Sequence, residues 1–171
     1  SFGLPIVEAA RRATDLPLDV HLMIADPARY IDWFRAAGAD MLTIHVEAVA
    51  DPRPVLERIR ELGAAAGLAI NPPTPLSAIE SSLPYCDTIL VMSVMPGFGG
   101  QKFDDVALAK LRALSARPDV DALLEVDGGI TTSTIGPCAA AGAELFVAGS
   151  AIIHSGNYAA AVRELRSAAQ L

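Results

Sequence analysis

The sequence predicts an α/β protein with a parallel sheet, and its repeats favour a closed (β/α)8 barrel over an open doubly wound sheet. Two observations support this prediction. Short apolar runs typical of buried strands alternate with segments of helical length along all 171 residues. In addition, the string Ala-Gly-Ala-Asp at 37–40, before one predicted strand, recurs before another as Ala-Gly-Ala-Glu at 141–144.

The predicted elements begin with a helix, and six strands then follow, each succeeded by a helix. Strands are predicted at 18–23, 41–46, 67–70, 88–94, 122–126 and 144–148. Helices are predicted at 4–13, 27–36, 52–62, 104–116, 132–141 and 157–169, with a short one opened by Thr74 and Pro75. We expect Asp26 to cap the helix that Pro27 begins, and Gly38 to end it.

No linker or low-complexity segment interrupts this pattern, so residues 1–171 are predicted to form a single domain of six strands and seven helices. A (β/α)8 barrel has eight strands and usually 200 or more residues. The predicted count is short by two strands and one helix. We therefore expect a partial barrel, with the first strand, the first helix and the second strand absent from this chain.

The composition excludes some classes of partner. A net charge of −7 and a pI near 4.8 argue against nucleic acid, which usually requires a basic face. They permit a phosphorylated small molecule, because backbone N–H groups can hold a phosphate without net positive charge. Cys86 and Cys138 form no disulfide framework or zinc motif and are expected to be reduced thiols of a cytoplasmic protein. No apolar run reaches the roughly 18 residues of a membrane span.

Polar residues near the ends of predicted strands are candidates for chemistry, because a barrel collects its functional groups at the carboxyl ends of its strands. Asp19, His21 and Met23 share the strand face that we expect to point inward. A neutral imidazole there binds a metal or donates to a substrate, although this strand alone favours a buried, hydrogen-bonded histidine. His45 and Glu47 also face inward together and are expected to form an interior hydrogen-bonding layer.

The segment Glu-Val-Asp-Gly-Gly at 125–129 ends another predicted strand. A carboxylate at Asp127 is placed to bind a metal, to transfer a proton, or both. The glycines that follow it permit close approach of a ligand to the backbone. The alternative is an ordinary Asp–Gly turn, and the strand-end position favours function over that alternative.

Two glycine-bearing loops point to a phosphorylated ligand. The loop Pro-Gly-Phe-Gly-Gly-Gln at 96–101 is suited to present several N–H groups to an anion. Gly149 and Ser150 follow the last predicted strand, where barrels of this class commonly hold a phosphate. There is no P-loop and no GxGxxG opening a helix, so a nucleotide cofactor is not expected.

Taken in order, these strings resemble one known family. They are Asp-Val-His-Leu-Met at 19–23, His-Val-Glu-Ala at 45–48, Asn-Pro at 71–72, Met-Ser-Val at 92–94, Pro-Gly-Phe-Gly-Gly-Gln at 96–101, Glu-Val-Asp-Gly-Gly at 125–129 and Val-Ala-Gly-Ser at 147–150. In order and spacing the chain is similar to ribulose-phosphate 3-epimerase over essentially its whole length. The resemblance implies a (β/α)8 barrel of the ribulose-phosphate-binding type.

The resemblance also implies an activity. It is the metal-dependent epimerisation at C3 of D-ribulose 5-phosphate to D-xylulose 5-phosphate in the pentose phosphate pathway, by two-base proton transfer through an enediolate. One divalent cation, Zn, Fe, Mn or Co, is implied, as is a cytoplasmic homo-oligomer that binds a phosphorylated ketose but no nucleic acid or membrane.

The residues that match the family's site can be named by role. Asp127 matches the aspartate that returns the proton, and His21 and Asp127 match metal ligands. The matches for substrate and phosphate binding are His21, Met23, Met92, Gly97, Phe98, Gly99, Gly100, Asp127, Gly128, Gly129, Gly149 and Ser150.

The resemblance is incomplete at its start. The family's early serine, histidine and first catalytic aspartate have no counterpart after Ser1, and Met95 replaces an Asn or Glu of many members. The 171-residue chain by itself is therefore expected to be inactive. Two alternatives stay open: an epimerase of another ketose phosphate such as allulose 6-phosphate, and an inactive phosphate-ligand-binding barrel fragment.

Overall fold

The computed structural model describes residues 3–97 and 101–170 of the chain. Helices and strands occur along these residues in the predicted order, with one additional short helix between the last strand and the last helix. The α-helices are α1 (Leu4–Ala13), α2 (Ile31–Ala36), α3 (Arg53–Glu61), α4 (Val106–Ser115), α5 (Ile135–Ala140), α6 (Ser150–Ile153) and α7 (Tyr158–Ala169). The strands are β1 (Asp19–Leu22), β2 (Met41–His45), β3 (Ala65–Ile70), β4 (Thr88–Met92), β5 (Leu123–Asp127) and β6 (Leu145–Val147).

The strands follow the chain order β1-β2-β3-β4-β5-β6 in the sheet. The pairs β1–β2, β2–β3 and β5–β6 are parallel, as the alternation of strands and helices predicts. By its internal contacts the chain divides into two units, Ser1–Ala69 with Ser77–Ile89, and Ile70–Leu76 with Leu90–Leu171.

In the first unit, β2 is buried on both of its faces. Leu42 and Ile44 alternate with Thr43 and His45, and all four residues are at most 6% exposed. This pattern is typical of a parallel strand that is covered on both sides. Helix α2 contacts β2 and also packs against α1 and α3. Burying each large aliphatic side chain of this core contributes roughly 1.5–3 kcal/mol.

The second unit is organised around β5. Val126 in β5 and Leu111 in α4 are both fully buried, and α4 contacts β5 and α5. Helix α7 packs on α5 and α6. It begins where Asn157 Oδ1 accepts a hydrogen bond from Ala160 N at 3.0 Å, which is the usual role of asparagine before a helix.

Three sequence predictions are corrected in detail. Asp26 precedes a helix that Pro27 begins, but its side chain makes no capping hydrogen bond, and its φ of 51° is left-handed. The segment 27–36 divides into a 3-10 helix at Pro27–Arg29 and α2. The helix expected after Thr74 consists of two 3-10 helices, Leu76–Ala78 and Glu80–Tyr85, and Pro84 lies inside the second of them.

A carboxylate stands directly before each even-numbered strand and closes a two-point hydrogen-bonded pair with the neighbouring strand. Asp40 N donates to Leu18 O at 2.9 Å, and Asp40 Oδ2 accepts from Leu18 N at 2.8 Å. Asp87 pairs with Ala66 in the same way, at 2.8 and 2.7 Å. We call each such acid a strand clamp.

The third strand clamp is Glu144, whose N donates to Leu124 O at 2.8 Å and whose Oε2 lies 3.4 Å from Leu124 N. Like Asp40, Glu144 directly follows an Ala-Gly-Ala string, which is the repeat seen in the sequence. Asp87 has the same geometry without that string, so the structural repeat extends further than the sequence repeat.

Arginines from the preceding helices reinforce the first two clamps. Arg11 Nη1 donates to Asp40 Oδ2 at 2.8 Å, and Arg60 Nη2 donates to Asp87 Oδ1 at 2.7 Å. Arg11 crosses Gly38, where a Cβ would lie 2.6 Å from Arg11 Cγ, so a larger residue would displace the guanidinium. Gly38 has a φ of +113° and ends α2 as predicted.

These contacts set the acidity of both carboxyls. The hydrogen bond from Leu18 N, with the charge and side-chain hydrogen bond of Arg11, holds the pKa of Asp40 below its ordinary 3.8. Burial raises the pKa of Asp87, but the hydrogen bonds from Arg60 and Ala66 outweigh burial and lower it. Each carboxylate therefore stabilises the folded protein at neutral pH.

We predict that Asp40→Asn lowers the free energy of unfolding at pH 7 by roughly 1 kcal/mol, a value that allows for screening of a half-exposed group. Because the folded-state pKa is depressed, the contribution is complete above pH 3.8 and is lost as the pH falls through the folded pKa. Urea unfolding from pH 7 to pH 2.5 measures the difference. Asp15→Asn, an exposed aspartate of the same unit, is the control. A difference that persists at pH 2.5 contradicts the electrostatic explanation.

Candidate active site

Three polar side chains of the first unit, those of His21, His45 and Glu47, form a continuous row of close contacts at the ends of β1 and β2. His21 lies opposite Thr43 in the parallel register, and its Nε2 is 2.7 Å from His45 Nε2. The two rings stack with their centroids 4.8 Å apart and their planes at 27°. His45 Nδ1 in turn lies 3.2 Å from Glu47 Oε2. His45 is thus the interior hydrogen-bonding residue that the strand alternation predicts. The same prediction is wrong for Glu47, which is exposed and lies beyond the strand, in a 3-10 helix at Val46–Ala48.

The contact between the two imidazoles bears on metal binding. His45 Nε2 lies only 2.7 Å from His21 Nε2, so a metal at His21 Nε2 would require the two rings to move apart.

Met23 follows β1 and is 49% exposed, as expected of a side chain beyond the end of a strand. By the alternation of side chains along the strand, Met23 lies on the same face as His21. Its side chain is accessible, whereas Leu22, on the other face, is 3% exposed.

In the second unit, Asp127 is the last residue of β5 and is partly buried. The two glycines after it form a turn that only glycine adopts readily, with φ of +110° at Gly128 and +57° at Gly129. A Cβ at Gly129 would lie 2.8 Å from Phe103 N, so the loop backbone packs directly on the turn. The geometry differs from an isolated Asp–Gly turn because neighbouring segments pack closely on both glycines.

An open cleft of about 800 Å³ borders this turn. Gly129 and Ser150, both predicted from sequence, lie on its wall, and Ser150 begins α6 directly after Gly149. The remaining lining is polar except for Phe103. It consists of Gln101, Lys102, Phe103, Asp104, Asp105, Thr131, Ser133 and Thr134.

Sequence reasoning missed the hydroxyl cluster on this wall. Thr134 Oγ1 donates to Gly129 O at 2.8 Å and accepts from Thr131 N at 2.9 Å, while Thr131 Oγ1 lies 2.9 Å from Ser133 Oγ. These bonds fix the segment after the glycine turn. The run Thr-Thr-Ser-Thr at 131–134, one residue after a glycine pair, was the available signal.

The other predicted positions are distributed as follows. Met92 ends β4 and is 1% exposed, whereas Gly97 is exposed with a φ of +151°. Phe98, Gly99 and Gly100 lie outside the described residues. Among the residues that the structure does describe, no three His, Cys, Asp or Glu side chains are grouped closely enough to hold a metal ion.

Neither cysteine is suited to nucleophilic chemistry. Both are free thiols and buried. Burial raises the pKa of Cys86 to about 12 and that of Cys138 to about 11. Both thiols are therefore protonated at neutral pH, and a protonated thiol is a poor nucleophile.

Comparison with known proteins identifies the family. The model of the ribulose-phosphate 3 epimerase family matches residues 1–153. The ribulose-phosphate 3-epimerase of Synechocystis sp. is 46% identical over 172 residues, which cover 98% of this chain and 75% of that protein. The Bacillus subtilis enzyme of the same name is 45% identical, covering 97% of this chain and 78% of its own.

The chain belongs to the ribulose-phosphate 3-epimerase family.

Members of the ribulose-phosphate 3-epimerase family are carbohydrate epimerases, and the chain is an isomerase of carbohydrate metabolism. A solved structure, KGPDC from Streptococcus mutans in complex with D-R5P, matches with a TM-score of 0.80 at 17% identity, covering 98% of this chain and 79% of that one. At this identity the likeness shows the fold alone. It confirms the predicted (β/α)8-barrel class.

In the described part of the chain, none of the helices has the length and apolar character to span a bilayer.

We predict that Gly129→Ala destabilises the protein by roughly 1–3 kcal/mol more than Gly156→Ala. Both positions have a positive φ, of +57° and +71°, so both alanines are strained, but a Cβ meets neighbouring atoms within 4 Å only at Gly129. The difference in stability between the two variants therefore measures how closely the backbone at Phe103 packs on the turn. Urea unfolding measures it, and equal losses for the two variants contradict it.

Proposed function

We propose that this protein interconverts D-ribulose 5-phosphate and D-xylulose 5-phosphate by moving a proton at C3. The observation that carries the proposal is Asp127, a carboxylate at the carboxyl end of a strand, followed by a two-glycine turn on the wall of an open polar cleft. A sugar phosphate needs both features, an acid–base group for the carbon and hydrogen-bond donors for the phosphate.

In this proposal Asp127 is the acid that returns the proton to C3 of the enediolate, and in the reverse reaction it is the base that removes it. A positioned carboxyl contributes about 10²–10⁴-fold to such a transfer. A group on the opposite face of the substrate completes a two-base reaction, and we assign that role to none of the residues that the structure describes.

The phosphate is proposed to lie in the cleft beside Gly129 and Ser150. Backbone N–H groups of a glycine turn bind anions well because no side chain obstructs them. Met23 and Met92 would contact the carbon chain. The full set proposed for substrate binding is His21, Met23, Met92, Gly97, Phe98, Gly99, Gly100, Asp127, Gly128, Gly129, Gly149 and Ser150.

A divalent cation is implied by the family, with His21 and Asp127 as two proposed ligands. The described residues do not fit a complete metal centre, because they contain no group of three possible ligands, and His21 Nε2 is hydrogen-bonded to His45. Zinc and its neighbours usually take four or more ligands. No step of the proposed reaction is therefore routed through a metal.

We expect Asp127→Asn, made in the full-length gene product, to lower kcat on D-ribulose 5-phosphate by about 10²–10⁴-fold, because an amide cannot transfer the proton. The assay couples xylulose 5-phosphate formation to an indicator enzyme, with and without added Zn, Fe, Mn or Co. Asp121→Asn, an exposed aspartate of the loop before β5, is the control.

The same assay separates the alternatives. Turnover of allulose 6-phosphate that exceeds turnover of D-ribulose 5-phosphate favours the six-carbon substrate. Binding of inorganic phosphate without turnover of either ketose indicates a binding protein and contradicts the proposal.

Cytoplasmic location and homo-oligomeric assembly are further parts of the proposal, and sedimentation analysis tests the assembly.

The proposed metal role of His21 has its own test. We expect His21→Ala to lower Mn²⁺ or Co²⁺ affinity by more than the ~10- to 100-fold that loss of an outer hydrogen-bond partner costs. Bound metal is measured by mass spectrometry after desalting. His154→Ala, an exposed histidine beyond α6, is the control. Equal metal content in the two variants removes His21 from the ligand set.

A further inference from the structure

Ser93 is a buried residue that joins β4 to the segment carrying Asp127. It follows Met92 at the end of β4 and is 0% exposed. Its N donates to Asp127 O at 2.8 Å. Its Oγ lies 3.2 Å from Asp127 O and also donates to Gly128 O, the shorter of the two contacts. One side chain therefore contacts both carbonyls that follow the strand.

The glycine turn depends on such external bonds. Gly128 and Gly129 have no side chains of their own to hold the turn, and glycine is the residue with the most conformational freedom. A Cβ at Gly128 would lie 2.6 Å from Ser93 Oγ and 2.7 Å from Val94 Cγ2, so the turn is packed directly against residues 93 and 94. Thr134 Oγ1 holds the next carbonyl, that of Gly129, at 2.8 Å.

Ser93 also reaches the loop that borders the cleft. Its carbonyl accepts a hydrogen bond from Asp104 N at 2.9 Å, and Asp104 lines the cleft. Ser93 thus connects three segments: the end of β4, the turn after β5 and the residues that lead into α4.

We propose that Ser93 is a positioning residue for Asp127, whose hydroxyl fixes the peptide groups after the strand and so the direction of the carboxyl group toward the substrate. This inference rests on the proposed function. Removal of the hydroxyl leaves the backbone bond from Ser93 N intact but takes a donor from the carbonyl of Gly128, so the turn loses one of its restraints while the strand pairing remains.

The test uses Ser93→Ala and Ser93→Thr in the full-length gene product, assayed on D-ribulose 5-phosphate. A misplacement of about 1 Å in a reacting group costs on the order of 10²-fold in rate, so we expect Ser93→Ala to lower kcat by ~10- to 100-fold with KM changed less than about 3-fold. Ser93→Thr, which keeps the hydroxyl, is expected to restore most of kcat.

Ser82→Ala is the matched control. Ser82 is as buried as Ser93, at 0% exposure, and its hydroxyl has no hydrogen-bond partner among the described residues. It is expected to leave kcat unchanged. The double variant Ser93→Ala with Asp127→Asn completes a cycle. If Ser93 acts through Asp127, its loss has no further effect on kcat once the carboxyl group is gone.

The outcomes separate this inference from the proposed function. Wild-type kcat in Ser93→Ala, with Asp127→Asn inactive, overturns the positioning role and leaves the function standing. Wild-type activity in Asp127→Asn overturns both. A raised KM at unchanged kcat, or multiplicative losses in the double variant, also overturns the positioning role. If Ser93→Ala does not fold, Ser93→Cys replaces it, because a thiol is similar in size to the hydroxyl but is a weak donor. Wild-type kcat in Ser93→Cys then overturns the positioning role of Ser93.

Discussion

The register of the strand pairs depends on the carboxylate that stands before each even-numbered strand. The pair between Asp40 and Leu18 places Asp19 opposite Met41, and His21 therefore lies opposite Thr43. The pair between Glu144 and Leu124 sets Glu125 opposite Leu145, so that Asp127 comes to the end of the sheet opposite Val147. A slip of one residue would turn each of these side chains to the opposite face. Stabilising contacts at the amino ends of the strands thus determine which side chains face inward at the carboxyl ends, where barrels carry their chemistry.

The polar groups at the strand ends are held in place in different ways in the two units. In the first unit, side chains hold them, because His45 is 6% exposed and is hydrogen-bonded to both His21 and Glu47. In the second unit, the turn after Asp127 has no side chains, and its position is imposed by neighbours that bond its carbonyls. A turn of this kind leaves space for a ligand at the backbone, since glycine adds no atoms there. Restraint from Ser93 and Thr134 allows this open turn to hold a fixed carboxyl group.

Local patterns in the sequence predicted what local interactions determine. The bounds of α1 and α7 differ from prediction by at most one residue, because an amphipathic run with Pro5 or Asn157 at its start is a local signal. Asp127 was likewise predictable from Asp-Gly-Gly after an apolar run. Ser93 was not, because its bond to Gly128 joins residues 35 apart in the chain. The same limit explains the clamp at Asp87, whose partner Ala66 lies 21 residues away, and the helix after Thr74, where closely spaced prolines favour short 3-10 turns over an α-helix.

The charge of the protein bears on how the proposed phosphorylated substrate would be held. A net charge of −7 opposes the approach of an anion, but charges farther away than about 10 Å are largely screened at 0.1 M salt. Within the cleft, Lys102 opposes Asp104 and Asp105, and Asp104 Oδ1 accepts from Val106 N at 3.0 Å in the first turn of α4, where a helix dipole stabilises negative charge. The side chains that line the cleft therefore carry a net charge of −1. The proposed phosphate would then depend on backbone N–H groups and hydroxyls at short range, which can hold an anion without a basic surface.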